Sequence, residues 1–205
     1  MEATRVQPHY LEPYHRALRR HGAGFGALLW ATPQTQVARF EALSRACDFA
    51  DRSVLDAGCG RADLLDWLIR RGTRPSWYVG LEAIEELATL ARAKSLPDCQ
   101  IVQADFLREP ARLLVGAQIV VFCGSLNTLS PGEFSEAIRR GFEAAQDVLL
   151  LNFLSSPTRA GASWLTWHDP GDVDRFARTL TPHVRMLQGY IDGDCTMSLG
   201  KRASS

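Results

Sequence analysis

The residues best able to do chemistry cluster between positions 53 and 63, which read S-V-L-D-A-G-C-G-R-A-D. Val54 and Leu55 run into Asp56, and glycines at 58 and 60 precede a helical pattern, so the stretch predicts a buried strand turning sharply into a helix. Gly58 and Gly60 let a ligand come close to the backbone, and Asp56 puts a charge at the strand end that favours an ammonium group. A dinucleotide fingerprint needs glycine at 63, where Asp63 stands, and a carboxylate there repels a pyrophosphate. No G-x-x-x-x-G-K-[ST] occurs anywhere, which removes the P-loop. The turn suits a nucleoside ligand without phosphates.

Three later strand ends add to it. W-Y-V-G-L-E, residues 77–82, closes on Glu82, whose two acceptor oxygens match two ribose hydroxyls. Ala104-Asp105-Phe106 ends the next apolar run with an acid that can accept an adenine amino hydrogen and a ring that can pack on the base. Cys123-Gly124-Ser125 ends the run V-V-F with small residues that leave room for a flat ligand.

The elements that must carry these ends follow from periodicity. A helical pattern with Leu11, Tyr14, His15 and Leu18 breaks at Gly22, Gly24 and Gly26, and Thr32-Pro33 starts a second helix through Val37, Phe40, Leu43 and Ala46. After the glycine turn, an apolar helix stops at Gly72. Strands are expected over 77–82, 100–104, 119–122 and 148–153, with helices over 84–94, 111–115 and 131–145. Near-continuous apolar strands alternating with helices predict a parallel sheet covered on both faces. A long connection, 155–171, carries Trp164 and Trp167. A helix over 173–180 capped by Asp172 should follow, then strands over 183–190 and 195–200, joined through Asp192-Gly193 as an antiparallel hairpin.

The order V-L-D-A-G-C-G, G-L-E, Q-A-D-F and I-V-V-F-C-G-S-L-N resembles the class I S-adenosylmethionine-dependent methyltransferases over about residues 30–202. The resemblance implies a Rossmann-like α/β three-layer sandwich. Its sheet would have seven strands, mostly parallel with the last antiparallel, preceded by N-terminal helices. By that similarity Gly58 and Gly60, with Cys59 between them, line the methionine portion of S-adenosylmethionine. Glu82, followed by Ala83, takes the ribose hydroxyls; Asp105 and Phe106, after Ala104, meet adenine; and Cys123 lies beside adenine or ribose. The family's usual third glycine is Ala62 here. W-A-T-P-Q-T-Q-V-A-R-F, residues 30–40, resembles the segment before the first motif in small members, which makes Arg39 a candidate for the methionine carboxylate, with Gln36 and Trp30 beside it.

Methyl transfer asks the protein mainly for proximity, alignment and exclusion of water, so no catalytic residue is assigned. His168 is the histidine best placed to act as a base. Trp164 and Trp167 could roof the acceptor, with Tyr10, Tyr14 and His15 as further pocket candidates. The chain of 205 residues is read as one domain, an extension over 1–50 on a core over 51–202. Twenty-three basic and twenty-three acidic residues cancel, which argues against nucleic acid as substrate and leaves a small-molecule acceptor. Five separated cysteines without a C-x-x-C pair suggest free thiols and no metal site. No apolar run approaches membrane-spanning length and no signal-like core opens the chain, so a cytoplasmic location is expected. The alternative reading is a regulatory or scaffold protein that binds S-adenosylmethionine without catalysis.

Overall fold

The computed structural model describes residues 8–22, 24–158 and 160–202. Its seven strands are β1 (Ser53–Ala57), β2 (Trp77–Glu82), β3 (Cys99–Gln103), β4 (Ile119–Cys123), β5 (Val148–Leu154), β6 (Val184–Leu187) and β7 (Asp194–Gly200). They form one sheet in the order β3-β2-β1-β4-β5-β7-β6. The first five run parallel, and β7 lies antiparallel between β5 and β6. This is the Rossmann-like α/β architecture expected, with the terminal hairpin inserting the last strand into the sheet.

The pleat sends alternate residues to opposite faces. Leu55, Val120, Phe122, Leu149 and Leu151 pack against Phe134, Ile138 and Phe142 of α5 (Pro131–Ala144) and Val173 and Ala177 of α6 (Pro170–Leu180). Val54, Tyr78, Ile119, Val121 and Leu150 face Phe40 and Leu43 of α2 (Pro33–Ala46), Leu64, Leu65 and Leu68 of α3 (Asp63–Arg70) and Ala91 of α4 (Glu85–Ala93). A third cluster joins Ala27, Ile84 and Leu87 to Tyr14, Leu18 and Leu28, and lays α1 (Glu12–His21) and the 3-10 turn Phe25–Leu28 over the start of α4. Among the described residues no helix is long and apolar enough to cross a membrane.

α2 starts where the sequence placed it. The Thr32 hydroxyl accepts from the Thr35 amide at 3.1 Å, Thr35 closes the capping box, and Pro33 occupies the first turn. The same logic corrects the start of α6, expected at 173 with an Asp172 cap. Asp169 is the cap, accepting from the Asp172 amide at 3.1 Å, and Pro170 opens the helix. The helix expected over 111–115 is only the 3-10 turn Pro110–Leu113, and β3 lies one residue earlier than read. β6 ends at Leu187 rather than at Tyr190, whose hydroxyl turns inward to Asp194 and Thr196.

Candidate functional site

β1 has β2 on one side and β4 on the other, so the sheet's strand order reverses there, and ligands of open α/β sheets bind at such a point. A cleft of about 820 Å³, partly open to solvent, lies there. Its floor is the glycine turn, held by amides of Gly58 and Cys59 that donate to the Leu81 carbonyl at 2.8 and 3.0 Å. Gly58 has φ of +80°, and a Cβ on it would stand 2.4 Å from Ser125 Cβ. Ser125 is itself fixed by donating to the Ala57 carbonyl at 2.7 Å. Gly58→Ala should therefore cost roughly 3 kcal/mol or more in denaturant unfolding, and adding Ser125→Gly should recover part of that loss. Ala62, where the related motif has glycine, caps α3 in a left-handed conformation with φ of +54°, which glycine tolerates better than alanine.

The acids at the strand ends differ in how they are held. Asp56 is 1% exposed; its Oδ2 accepts from the Tyr78 hydroxyl, and its Oδ1 is buried without a partner. Burial pushes its carboxyl up to about 7, the Tyr78 hydrogen bond opposing and the Glu82 charge adding. Glu82 accepts from the Gly60 amide through Oε2 at 2.8 Å and from the Ile84 amide through Oε1 at 2.9 Å. Burial raises it to about 7 against those N–H groups. Each of its oxygens keeps a second lone pair. Asp63 is the opposite case: burial alone would raise it, but Lys94 at 2.5 Å, Arg61 at 3.1 Å and Gln36 hold it below the usual carboxylate range.

The residues just beyond β3 are close by. Asp105 accepts from the Tyr10 hydroxyl at 2.8 Å and from the Leu107 amide at 3.0 Å, so the N-terminal segment is clasped across the cleft. Phe106 packs on Phe122 with ring centroids 5.2 Å apart. Cys123 and Cys59 line the cleft as thiols that burial holds well above their ordinary pKa. Cys59 lies over Gly80, where a Cβ would meet its sulfur at 2.6 Å. Trp30, Gln36, Asp56, Gly58, Gly60, Glu82, Ala83, Asp105 and Phe106 all border this space as well.

Arg39, Ala104 and His168 do not. Arg39 stacks over Trp30 at 4.8 Å and gives Nε and Nη2 to Asp194 Oδ2, in an ion pair whose side chains are 10% and 1% exposed. Arg39→Gln leaves Asp194 buried and uncompensated, and should cost about 3 to 5 kcal/mol in denaturant unfolding; adding Asp194→Asn should restore most of it. Ala104 is buried, its amide bonded to the Glu82 carbonyl at 3.0 Å. His168 is stacked on Phe134 at 3.7 Å, with Nε2 buried and unpartnered, and burial lowers it to about 4. Trp164 and Trp167 do not border the cleft, whereas Tyr10 and Tyr14 do. Among the residues that sequence reasoning missed, Arg61 borders the cleft with a buried, unpartnered Nε, and Leu28 and Thr128 complete the wall. Arg61 lies inside the glycine motif, and that position was its only signal. Among the described residues no group of three or more His, Cys, Asp or Glu could hold a metal ion.

No protein-family model matches the chain, and no curated protein sequence does. Solved structures match throughout. Magnesium protoporphyrin IX methyltransferase (ChlM) from Synechocystis PCC 6803 with bound SAH is 16% identical over 82% of each chain, with a TM-score of 0.64. A DhpI-SAM-HEP complex is 11% identical, covering 94% of this chain and 98% of that one, with a TM-score of 0.69. An O-methyltransferase family protein from Burkholderia thailandensis is 16% identical over 83% of this chain and 57% of the other, with a TM-score of 0.68. At these identities the likeness shows a common fold.

Proposed function

We propose that this chain transfers a methyl group from S-adenosylmethionine to a small-molecule acceptor. The observation that carries the reading is the buried, unpartnered Oδ1 of Asp56 beside the glycine turn. A carboxylate raised to about 7 by burial gains most from a cationic partner, and an amino-acid ammonium group supplies one. The cleft has four acids, Asp56, Asp63, Glu82 and Asp105, against one guanidinium, Arg61. That balance opposes a pyrophosphate and suits a ligand carrying positive charge. The missing Cβ of Gly58 lets Ser125 pack directly against the turn that floors the cleft.

S-adenosylmethionine supplies an activated methyl group on a sulfonium sulfur. The protein's residues then bind and orient. Asp56 takes the ammonium group, and Arg61, whose Nε has no partner, takes the carboxylate that the sequence had assigned to Arg39. Glu82 uses its remaining lone pairs on the ribose hydroxyls, which fixes the glycine turn and the ligand with one side chain. Asp105 and Phe106 border the base, and Tyr10 of the 3-10 turn His9–Leu11 with Tyr14 of α1 excludes water from above. The fold shared with a SAH-bound magnesium protoporphyrin IX methyltransferase and the DhpI-SAM-HEP complex supports the same reading.

The test is turnover. Incubation with methyl-labelled S-adenosylmethionine and a small-metabolite extract should yield S-adenosylhomocysteine together with a labelled small product. Binding without turnover in such extracts would support the regulatory alternative.

A further inference from the structure

Asp63 is the acid of the cleft to which the methyl-donor reading gives no ligand contact. It opens α3 and borders the cleft beside Gln36 and Arg61. Two neighbouring helices and the glycine turn converge on its carboxylate. Oδ2 accepts from Gln36 Nε2 of α2 at 3.2 Å and from Arg61 Nη2 of the turn at 3.1 Å. Oδ1 accepts from Lys94 Nζ at 2.5 Å, reaching in from the residue that ends α4. Lys94 itself does not border the cleft.

This arrangement settles a conflict of charge. Burial would raise the Asp63 carboxyl, but Lys94, with Arg61 and Gln36, holds it below the usual carboxylate range, so it is ionised at neutral pH. The same acid touches the guanidinium to which the donor's carboxylate is assigned. Arg61 alone would face two carboxylates, and its charge can offset only one of them. Lys94 supplies the other charge. The Lys94 and Asp63 side chains are 25% and 16% exposed, so water screens the pair only in part. Lys94 also lies 3.7 Å from Asp66, but Asp66 has its own partner in Arg70 at 2.9 Å. One added cation is enough for a single carboxylate, whereas a pyrophosphate brings more negative charge than it offsets.

We propose that Lys94 is a positioning residue for the methyl donor, neutralising Asp63 from outside the cleft so that Arg61 is left to hold the donor's amino-acid carboxylate. The inference rests on the methyl-donor reading. It gives opposite signs for two ligands. Without Lys94, Asp63 repels a chain that ends in a carboxylate and attracts one that carries only an ammonium group.

Calorimetry at pH 8 tests this with S-adenosylhomocysteine and its decarboxylated form, whose aminopropyl chain keeps the ammonium group and lacks the carboxylate. The intact protein should prefer S-adenosylhomocysteine by about tenfold or more. Lys94→Gln should weaken S-adenosylhomocysteine about tenfold and bind the decarboxylated form as tightly as before or more tightly, which erases the preference. A merely structural lysine would weaken both ligands alike. Lys94→Arg should keep the preference, and Lys94→Gln combined with Asp63→Asn, which removes the uncompensated acid, should restore most of it. Four results overturn the proposal: no preference in the intact protein, equal effects of Lys94→Gln on the two ligands, loss of the preference in Lys94→Arg, or no recovery in the double variant. Failure of both ligands to bind the intact protein counts instead against the methyl-donor reading itself.

Discussion

Asp56→Asn should make the protein more stable at pH 8 and nearly unable to hold the methyl donor. The carboxyl is raised from 3.8 to about 7 because burial disfavours its charge. A folded-state pKa above the unfolded one contributes stability that is fully present below about pH 4 and is lost as pH rises to about 7. Across that window the loss is about 1.4 kcal/mol per pH unit, so at pH 8 the ionised acid costs on the order of a few kcal/mol. Asparagine resembles the protonated acid and can still accept from Tyr78. The variant should therefore be the more stable protein at pH 8, with the difference vanishing at pH 3 to 4, as read by denaturant unfolding. Donor binding should move the other way. Removing the charge opposite an ammonium group should weaken S-adenosylhomocysteine by about 2 to 3 kcal/mol, roughly a hundredfold. In the unsubstituted protein, affinity should rise with pH up to about 7 and then level. A variant that loses stability at pH 8, or binds undiminished, would remove Asp56 from this role.

Glu82→Ala carries the second large effect, because one side chain is asked to hold both the turn and the ligand. Its loss strips acceptors from the Gly60 and Ile84 amides and, in the proposed binding mode, from two ribose hydroxyls. A charged acceptor is worth about 1.5 to 3 kcal/mol per bond, so S-adenosylhomocysteine affinity should fall a hundredfold or more. Affinity alone would not separate a disordered turn from a lost ribose contact. Comparison with the 2′-deoxy form of the ligand does: the intact protein should discriminate against it about tenfold, and Glu82→Ala should bind both equally. Discrimination that persists in the variant would place the ribose hydroxyls elsewhere.

Much of the sheet could be read because its signals are local. Runs such as V-L-D and I-V-V-F are buried on both faces and leave little choice of element, and Thr32-Pro33 marks a helix start by its own capping chemistry. Asp169-Pro170 carried the same signal, but it sits inside an irregular loop, where no apolar period drew attention to it. That the strand-end acids would border one cleft was legible because the carboxyl ends of parallel strands share one edge of the sheet. Arg39 was not legible in the same way. Its partner Asp194 lies 155 residues away, and only the insertion of β7 beside β5 brings them together. The left-handed Ala62 was also hidden, since its identity suggested a helix start while its torsions belong to the turn. The shape of the cleft depends on where Tyr14, Leu28 and Trp30 fall. Tyr14 and Leu28 are set by packing over Ile84 and Leu87, and Trp30 by packing on Phe40, rather than by any motif.

The central claim is that the acidic cleft at β1 and β2 takes a cationic nucleoside without phosphates. Calorimetric titration of S-adenosylmethionine at pH 8, beside NAD under the same conditions, tests it most directly. The account predicts saturable one-to-one binding of S-adenosylmethionine in the micromolar range and no detectable binding of NAD. No heat from S-adenosylmethionine at millimolar concentration, or tighter binding of NAD, would contradict it.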